Sequence, residues 1–153
     1  MALGDNTTLY LGDTVLEIKR FGPAHSPGDI SVWLPAEQVL IAGDIAFHQR
    51  LLGIFPDTDV AGWISSFERM AELPARVVIP GHGAPTTTDE LRIWTQDYLN
   101  YLSAEIAKIL AEDGDLADAY AIDQSAYSHL DTFEELAGKN AGRLFQTMEM
   151  EAF

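Results

Sequence analysis

The residues of this chain best suited to chemistry are imidazoles and carboxylates beside glycines. Four histidines are present, His25, His48, His82 and His129, and there is no cysteine. Disulfides, thiolate metal sites and cysteine nucleophiles are therefore excluded. Any metal must be held by His, Asp or Glu, a donor set that suits zinc, iron or manganese. His25 lies in Ala24-His25-Ser26-Pro27-Gly28-Asp29, a tight loop between two expected strands. His82 lies in Pro80-Gly81-His82-Gly83, directly after a short apolar run. Asp44 follows Gly43 at the end of another apolar run. Loops at strand ends are where α/β folds keep ligands and catalytic groups, and a neighbouring glycine lets the backbone approach closely. The sequence separations are too long for one local motif, so a sheet must bring the three together. On the residues alone, the ordinary alternatives stay open: loop histidines that only hydrogen-bond, and a Gly-Asp turn.

The elements that would position these groups can be read from pattern. Thr7–Leu11 and Thr14–Lys19 alternate around Gly12-Asp13 and predict a hairpin. Residues 20–29 form a loop, 30–34 and 38–42 two apolar strands, and Gly43-Asp44 is expected to break the second, leaving 45–56 irregular. Asp59 is expected to cap a helix running to about Leu73, with Trp63, Phe67 and Met70 at helical spacing. Val77 to Ile79 reads as a buried strand ended by Pro80-Gly81. Thr87 and Glu90 fit a capping box opening one long helix to about Glu112, stopped by Gly114. Helices are expected over 116–122 and 132–149. Trp63, Trp94, Tyr98 and Tyr101 read as core, and His129 as surface or helix packing.

This order of strands and helices predicts a single α/β domain over residues 1–153, one sheet with helices on one face. Val32 and Leu34 share one strand face and Trp33 points to the other, while Val39 and Ile41 oppose Leu40 and Ala42. Both sheet faces are thus apolar, and the helices can cover only one of them.

Composition bounds the partners. The 153 residues are 47% hydrophobic and 22% charged, ordinary for a globular domain. Nine basic against 24 acidic residues give a formal charge of −15. Such a surface repels phosphate backbones and anionic headgroups, so neither nucleic acid nor membrane is an expected partner. No window has the apolar length of a membrane span, and no signal-peptide pattern is present, so the default expectation is a cytoplasmic protein.

Three runs taken together carry a family resemblance: His25-Ser26-Pro27-Gly28, Val39-Leu40-Ile41-Ala42-Gly43-Asp44, and Val78-Ile79-Pro80-Gly81-His82-Gly83. In order and spacing they resemble the last three metal-ligand motifs of the metallo-β-lactamase superfamily, over about residues 9 to 110. The resemblance implies an αββα sandwich of which this chain is the C-terminal half. It implies His25, Asp44 and His82 as metal ligands, Asp44 bridging two ions at the catalytic centre, and His48 at the mouth of the site against substrate. The implied cofactor is zinc in one or two sites, with iron or manganese as substitutes. The implied reaction is attack of metal-bound hydroxide on an ester, thioester, amide or lactam of a small-molecule substrate.

The family's first motif, His-x-His-x-Asp-His, is absent. Three ligands remain for two metals, so the isolated chain is expected to bind metal weakly or to hold one ion through all three. Its bare apolar sheet face calls for a missing N-terminal half or a second copy in a homodimer. Two further readings follow: a truncated, non-catalytic interaction module pairing through that face, and a mononuclear iron enzyme like the family's sulfur dioxygenases.

Overall fold

The computed structural model describes residues 6–152. Five strands form one sheet in the order β1-β2-β3-β4-β5. They are β1 (Asn6–Leu11), β2 (Thr14–Lys19), β3 (Ser31–Leu34), β4 (Val39–Phe47) and β5 (Val77–His82). The first four pair antiparallel in succession, and β5 joins β4 in parallel. That parallel step requires a crossover, which α1 (Val60–Ala71) supplies. The rest is helical: α2 (Thr88–Trp94), α3 (Gln96–Ala111), α4 (Leu116–Tyr120), a short 3₁₀ turn at Ser125–Tyr127, and α5 (Phe133–Glu151).

The expected hairpin is present, with Gly12 at φ 60 in its turn. Asp59 caps α1 by accepting a hydrogen bond from the Gly62 amide at 2.8 Å. Asp115 caps α4 in a complete capping box. At Thr87 only half of the expected box forms. Its hydroxyl accepts from the Glu90 amide, but the Glu90 carboxylate turns away to accept from Trp94 Nε1 at 3.0 Å.

Three boundaries differ from expectation, all near the candidate site. Gly43-Asp44 does not end its strand: β4 runs on to Phe47 through register shifts against β5. Gly43 takes φ 67, so the chain bulges there without leaving the sheet. Pro80-Gly81 likewise does not end β5, because β5 is the edge strand and the position of the amide that proline lacks faces away from β4. The single long helix divides at Thr95, whose hydroxyl accepts from the Phe47 amide at 3.0 Å and donates to the Phe47 carbonyl at 3.2 Å. The end of β4 thereby anchors the α2–α3 joint, where Thr95 is distorted to φ −112 and ψ −71.

The register sorts the sheet into two faces. Trp33, Leu40, Ala42 and Val78 are buried beneath the helices, where Trp63, Phe67, Leu91, Tyr98, Leu99, Leu102 and Ile106 close one continuous core. Trp63 is fully buried, and its indole N–H donates to the Ile45 carbonyl at 2.9 Å. The opposite face carries Leu9 and Leu11 of β1, Leu16 and Ile18 of β2, Val32 and Leu34 of β3, Val39 and Ile41 of β4, and Val77 and Ile79 of β5. No helix among the described residues covers it: Leu11 is 71% exposed, Ile41 42% and Val77 40%. A five-strand sheet with an apolar outer face is half of a sandwich, as the pattern implied.

A buried polar knot ties the C-terminal helix to the loop that follows β4. Asn140 accepts from the Ile54 amide at 2.8 Å, and its Nδ2 donates to the Leu52 carbonyl at 2.8 Å and the Tyr98 hydroxyl at 3.0 Å. Tyr98 donates onward to Gln124 Oε1 at 2.9 Å. Every member is buried and paired, which makes such a network specifying. No helix among the described residues is long and apolar enough to cross a membrane.

Candidate metal centre

Asp44 and His82 meet because β4 and β5 are parallel neighbours. Gly43 pairs with Pro80 and Phe47 with His82, so both side chains rise at the same end of the sheet. His82 Nε2 stands 3.7 Å from Asp44 Oδ1, with each side chain a little over one-third exposed. Two glycines permit the approach. A Cβ on Gly81 would fall onto Asp44 Oδ1 and stand 2.9 Å from both Asp44 N and the Gly43 carbonyl carbon. A Cβ on Gly83, which has φ 87, would run into the His48 carbonyl.

His25 comes from the loop between β2 and β3. That loop is shaped by Ser26, whose amide and hydroxyl both donate to Asp29, at 2.8 and 3.0 Å. The His25 carbonyl accepts from Thr58 Oγ1 at 3.1 Å, which fastens the loop to the segment before α1. Its ring sits among aromatic side chains, with centroids 5.7 Å from Phe47, 5.1 Å from Phe55 and 5.5 Å from Trp63. Phe47 also packs on the His82 ring, at 4.9 Å, so one phenyl group touches both imidazoles. His25 Nδ1 is buried and has no hydrogen-bond partner. A buried imidazole nitrogen without a partner is costly unless something outside the described residues engages it.

Of the residues singled out from sequence, the structure brings Asp44 and His82 together and leaves His25 next to them, on the far contact of Phe47. Among the described residues no three His, Asp or Glu side chains are gathered closely enough to enclose an ion. His48 borders the pair. Its amide donates to the His82 carbonyl at 3.0 Å, and its Nδ1 lies 2.8 Å from the Ala84 carbonyl. A carbonyl only accepts, so Nδ1 is the donor of that bond.

Sequence reading missed several parts of this site. Gln49 Oε1 accepts from the Ala84 amide at 3.1 Å, so residues 48 and 49 hold both polar groups of Ala84 and fix the turn after His82. Phe47 and Phe55 lie in a stretch that reads as irregular, and nothing in their local spacing marks them as neighbours of His25. His129 is an exposed residue packed on α2, as expected, its ring meeting Trp94 edge-on at 5.0 Å, but nothing in the sequence shows that it lines one small cavity with His48.

Comparison with known proteins agrees with this architecture. Residues 2–82 match the model of the metallo-beta-lactamase superfamily, and the chain belongs to that superfamily. It is 34% identical over 83 residues to the metallo-beta-lactamase type 2 of Bacteroides fragilis, covering 52% of this chain and 33% of that protein. It is 29% identical over 86 residues to the human acyl-coenzyme A thioesterase MBLAC2, covering 54% of this chain and 30% of that protein. A metallo-beta-lactamase from Pontibacter korlensis superimposes with a TM-score of 0.59 at 27% identity, over 64% of this chain and 47% of that one. The chain thus spans about a third of the curated relatives it matches and about half of the structural one.

Proposed function

We propose that this chain is the C-terminal, metal-holding half of a metallo-hydrolase, with His25, Asp44 and His82 as its ligands. The observation that carries the reading is the Asp44–His82 pair at neighbouring strand ends. Donors bound at about 2.0–2.2 Å on a tetrahedron stand roughly 3.4 Å apart, close to the 3.7 Å between these two atoms. The unpartnered Nδ1 of His25 supports a third, imidazole donor. Two neutral imidazoles and one carboxylate suit zinc first, and iron or manganese next.

A bound zinc ion would supply Lewis acidity toward a carbonyl and lower the pKa of a coordinated water toward neutrality. The rest of the reading concerns this chain's own groups. Asp44 places a carboxylate at the reacting centre, where it binds cation and orients water. His82 is held in place by the 48–49 segment through its carbonyl and through Ala84. Phe47, Phe55 and Trp63 shield His25 from water, which strengthens any charge interaction at its ring. His48, four residues after Asp44 and bonded through its amide to the His82 carbonyl, contacts substrate. The substrate is a small acyl compound: ester, thioester, amide or lactam. The relatives, named as a lactamase and a thioesterase, support this class.

The open sheet face requires a cover. We infer that it pairs with the complementary half of the sandwich, supplied by other polypeptide or by a second copy of this chain. That half would also complete the ligand set. Native mass spectrometry of the chain with and without zinc tests both parts. One ion per chain, lost in His25→Ala and His82→Ala, supports the metal reading. A metal-free chain at every zinc concentration contradicts it, and leaves the sheet face as the surface of an interaction module.

A further inference from the structure

A cavity of about 430 Å³ lies in the helical layer between α1 and α5, over Ser103 of α3. Both outer helices pack on α3. Leu99, Leu102 and Ile106 of α3 are large and fully buried, whereas Ser103 is small and leaves its place open. Val60, Ala61 and Ile64 of α1 and Leu144 and Met148 of α5 form aliphatic walls. The mouth is acidic. Asp57, Asp59 and Glu151 border it, no basic residue does, and none of the three is ion-paired among the described residues. Arg143, one turn before Thr147, is committed elsewhere: its guanidinium donates to the Ile54 carbonyl at 2.6 Å and lies over the Phe55 ring. The positive end of α1 is answered from within the chain, since the Asp59 carboxylate accepts from the Gly62 amide. Both threonine hydroxyls of the wall are also spent. That of Thr58 donates to the His25 carbonyl and accepts from the Phe55 amide, and that of Thr147 donates to the Arg143 carbonyl.

We propose that this cavity binds an organic monocation, a primary ammonium on a compact aliphatic body. Its size is that of a small-molecule site, which spans about 300–1,000 Å³. An apolar cavity of roughly 150 Å³ already accepts a benzene, so there is room for a cage hydrocarbon. Aliphatic walls whose threonine hydroxyls are spent favour a hydrocarbon body over a polar one. The three unpaired carboxylates and the chain's charge of −15 favour a positive head group and disfavour a negative one. Because the carboxylates stand at the mouth and not on the floor, the ammonium keeps part of its water, and desolvation does not cancel the attraction. His25, Asp44, His48 and His82 are not among the lining residues, so the proposal does not rest on the metal reading.

The test is a methyl NMR titration of the whole chain with three probes of one shape: adamantylammonium, adamantanol and adamantanecarboxylate. The ammonium is expected to shift the methyls of Val60, Ile64 and Met148 saturably, while those of Leu11 and Ile41 on the open sheet face stay in place. The alcohol should bind about tenfold more weakly, the combined effect of the solvent-facing carboxylates, and the carboxylate probe more weakly still. Added salt should narrow the gap. Asp57→Asn with Glu151→Gln, both exposed, should bring the ammonium toward the alcohol and leave the alcohol unchanged. Ser103→Leu fills the cavity and should abolish binding with a folded spectrum; if that chain does not fold, the rim variant decides alone. The proposal is overturned by the absence of saturable shifts, equal binding of the three probes, or shifts on the sheet face as large as those in the cavity. Undiminished ammonium binding in the rim variant or in folded Ser103→Leu also overturns it. So do shifts of the same methyls with protein concentration alone, which would place a second copy of the chain in the groove.

Discussion

Gly81→Ala is the substitution that most sharply probes how this site is built. Strands β4 and β5 touch at this point with nothing but hydrogen between the Gly81 Cα and Asp44. An added Cβ would lie on Asp44 Oδ1 and 2.9 Å from the backbone of residues 43 and 44, where ordinary contact begins at about 3.4 Å. Rotation of the carboxylate can relieve the first conflict, but only a strand separation of about 0.5 Å relieves the second. Overpacking of this kind costs about 1–3 kcal/mol of stability. The functional effect should be larger relative to its cause, because the group displaced is Asp44 itself. Misorientation of a ligand by its supporting shell lowers metal affinity about 10- to 100-fold, or roughly 1.4–2.7 kcal/mol. The assay is paired: urea unfolding for stability and zinc titration calorimetry for affinity, each against the unsubstituted chain. Gly12→Ala is the control. Gly12 also has a positive φ, but a Cβ there meets nothing within 4 Å, and it lies in the distant hairpin turn. It should lose stability and leave zinc affinity unchanged. Equal zinc affinity in Gly81→Ala and the parent chain would refute the placement of Asp44 in the site.

Other consequences follow from the packing. Asn140→Ala removes partners from the Ile54 amide, the Leu52 carbonyl and the Tyr98 hydroxyl together, and chemical denaturation should show a loss of about 3 kcal/mol. Burial holds the Tyr98 hydroxyl above its ordinary pKa of 10, so the folded chain keeps that proton after the unfolded chain has released it. Stability from this group is complete below pH 10 and falls as pH rises beyond it. Melting temperatures should drop on that alkaline limb, and less steeply in Tyr98→Phe. Ile41→Asp places a charge on the open sheet face. It should change unfolding free energy by no more than about 0.5 kcal/mol while abolishing association with the covering half, as read by sedimentation velocity.

Much of this fold is legible in the sequence because local signals and global structure agree. The Gly12-Asp13 turn, the Asp59 cap, and the helical spacing of Trp63, Phe67 and Met70 each act within a few residues. The two-sided apolar pattern of residues 32–41 likewise foretold the bare face. The differences arise where a distant partner overrides a local preference. Thr95 is unremarkable in a helical stretch until Phe47, 48 positions away, claims its hydroxyl. Gly43-Asp44 and Pro80-Gly81 are turn dipeptides by propensity, and the parallel β4–β5 pairing keeps them in the sheet. The glycines that signalled a break instead serve close approach at the site. Of the candidate site, the sequence marks the three motif residues and His48, and the structure brings two of them, Asp44 and His82, together. The aromatic wall of Phe47, Phe55 and Trp63 around His25, the hold of Gln49 on Ala84, and the arrival of His129 beside His48 could not be read in advance, because each depends on contacts between segments far apart in sequence.

His25, Asp44 and His82 are proposed to bind one metal ion together. The most direct measurement is a cobalt titration followed by visible absorption, since the band intensities report both binding and coordination number. A saturable tetrahedral-type spectrum is expected at one equivalent in the parent chain, with loss of at least about 100-fold in affinity in each of His25→Ala, Asp44→Ala and His82→Ala. A spectrum unchanged in any one of the three, or no ligand-field band at all in the parent chain, would contradict that assignment.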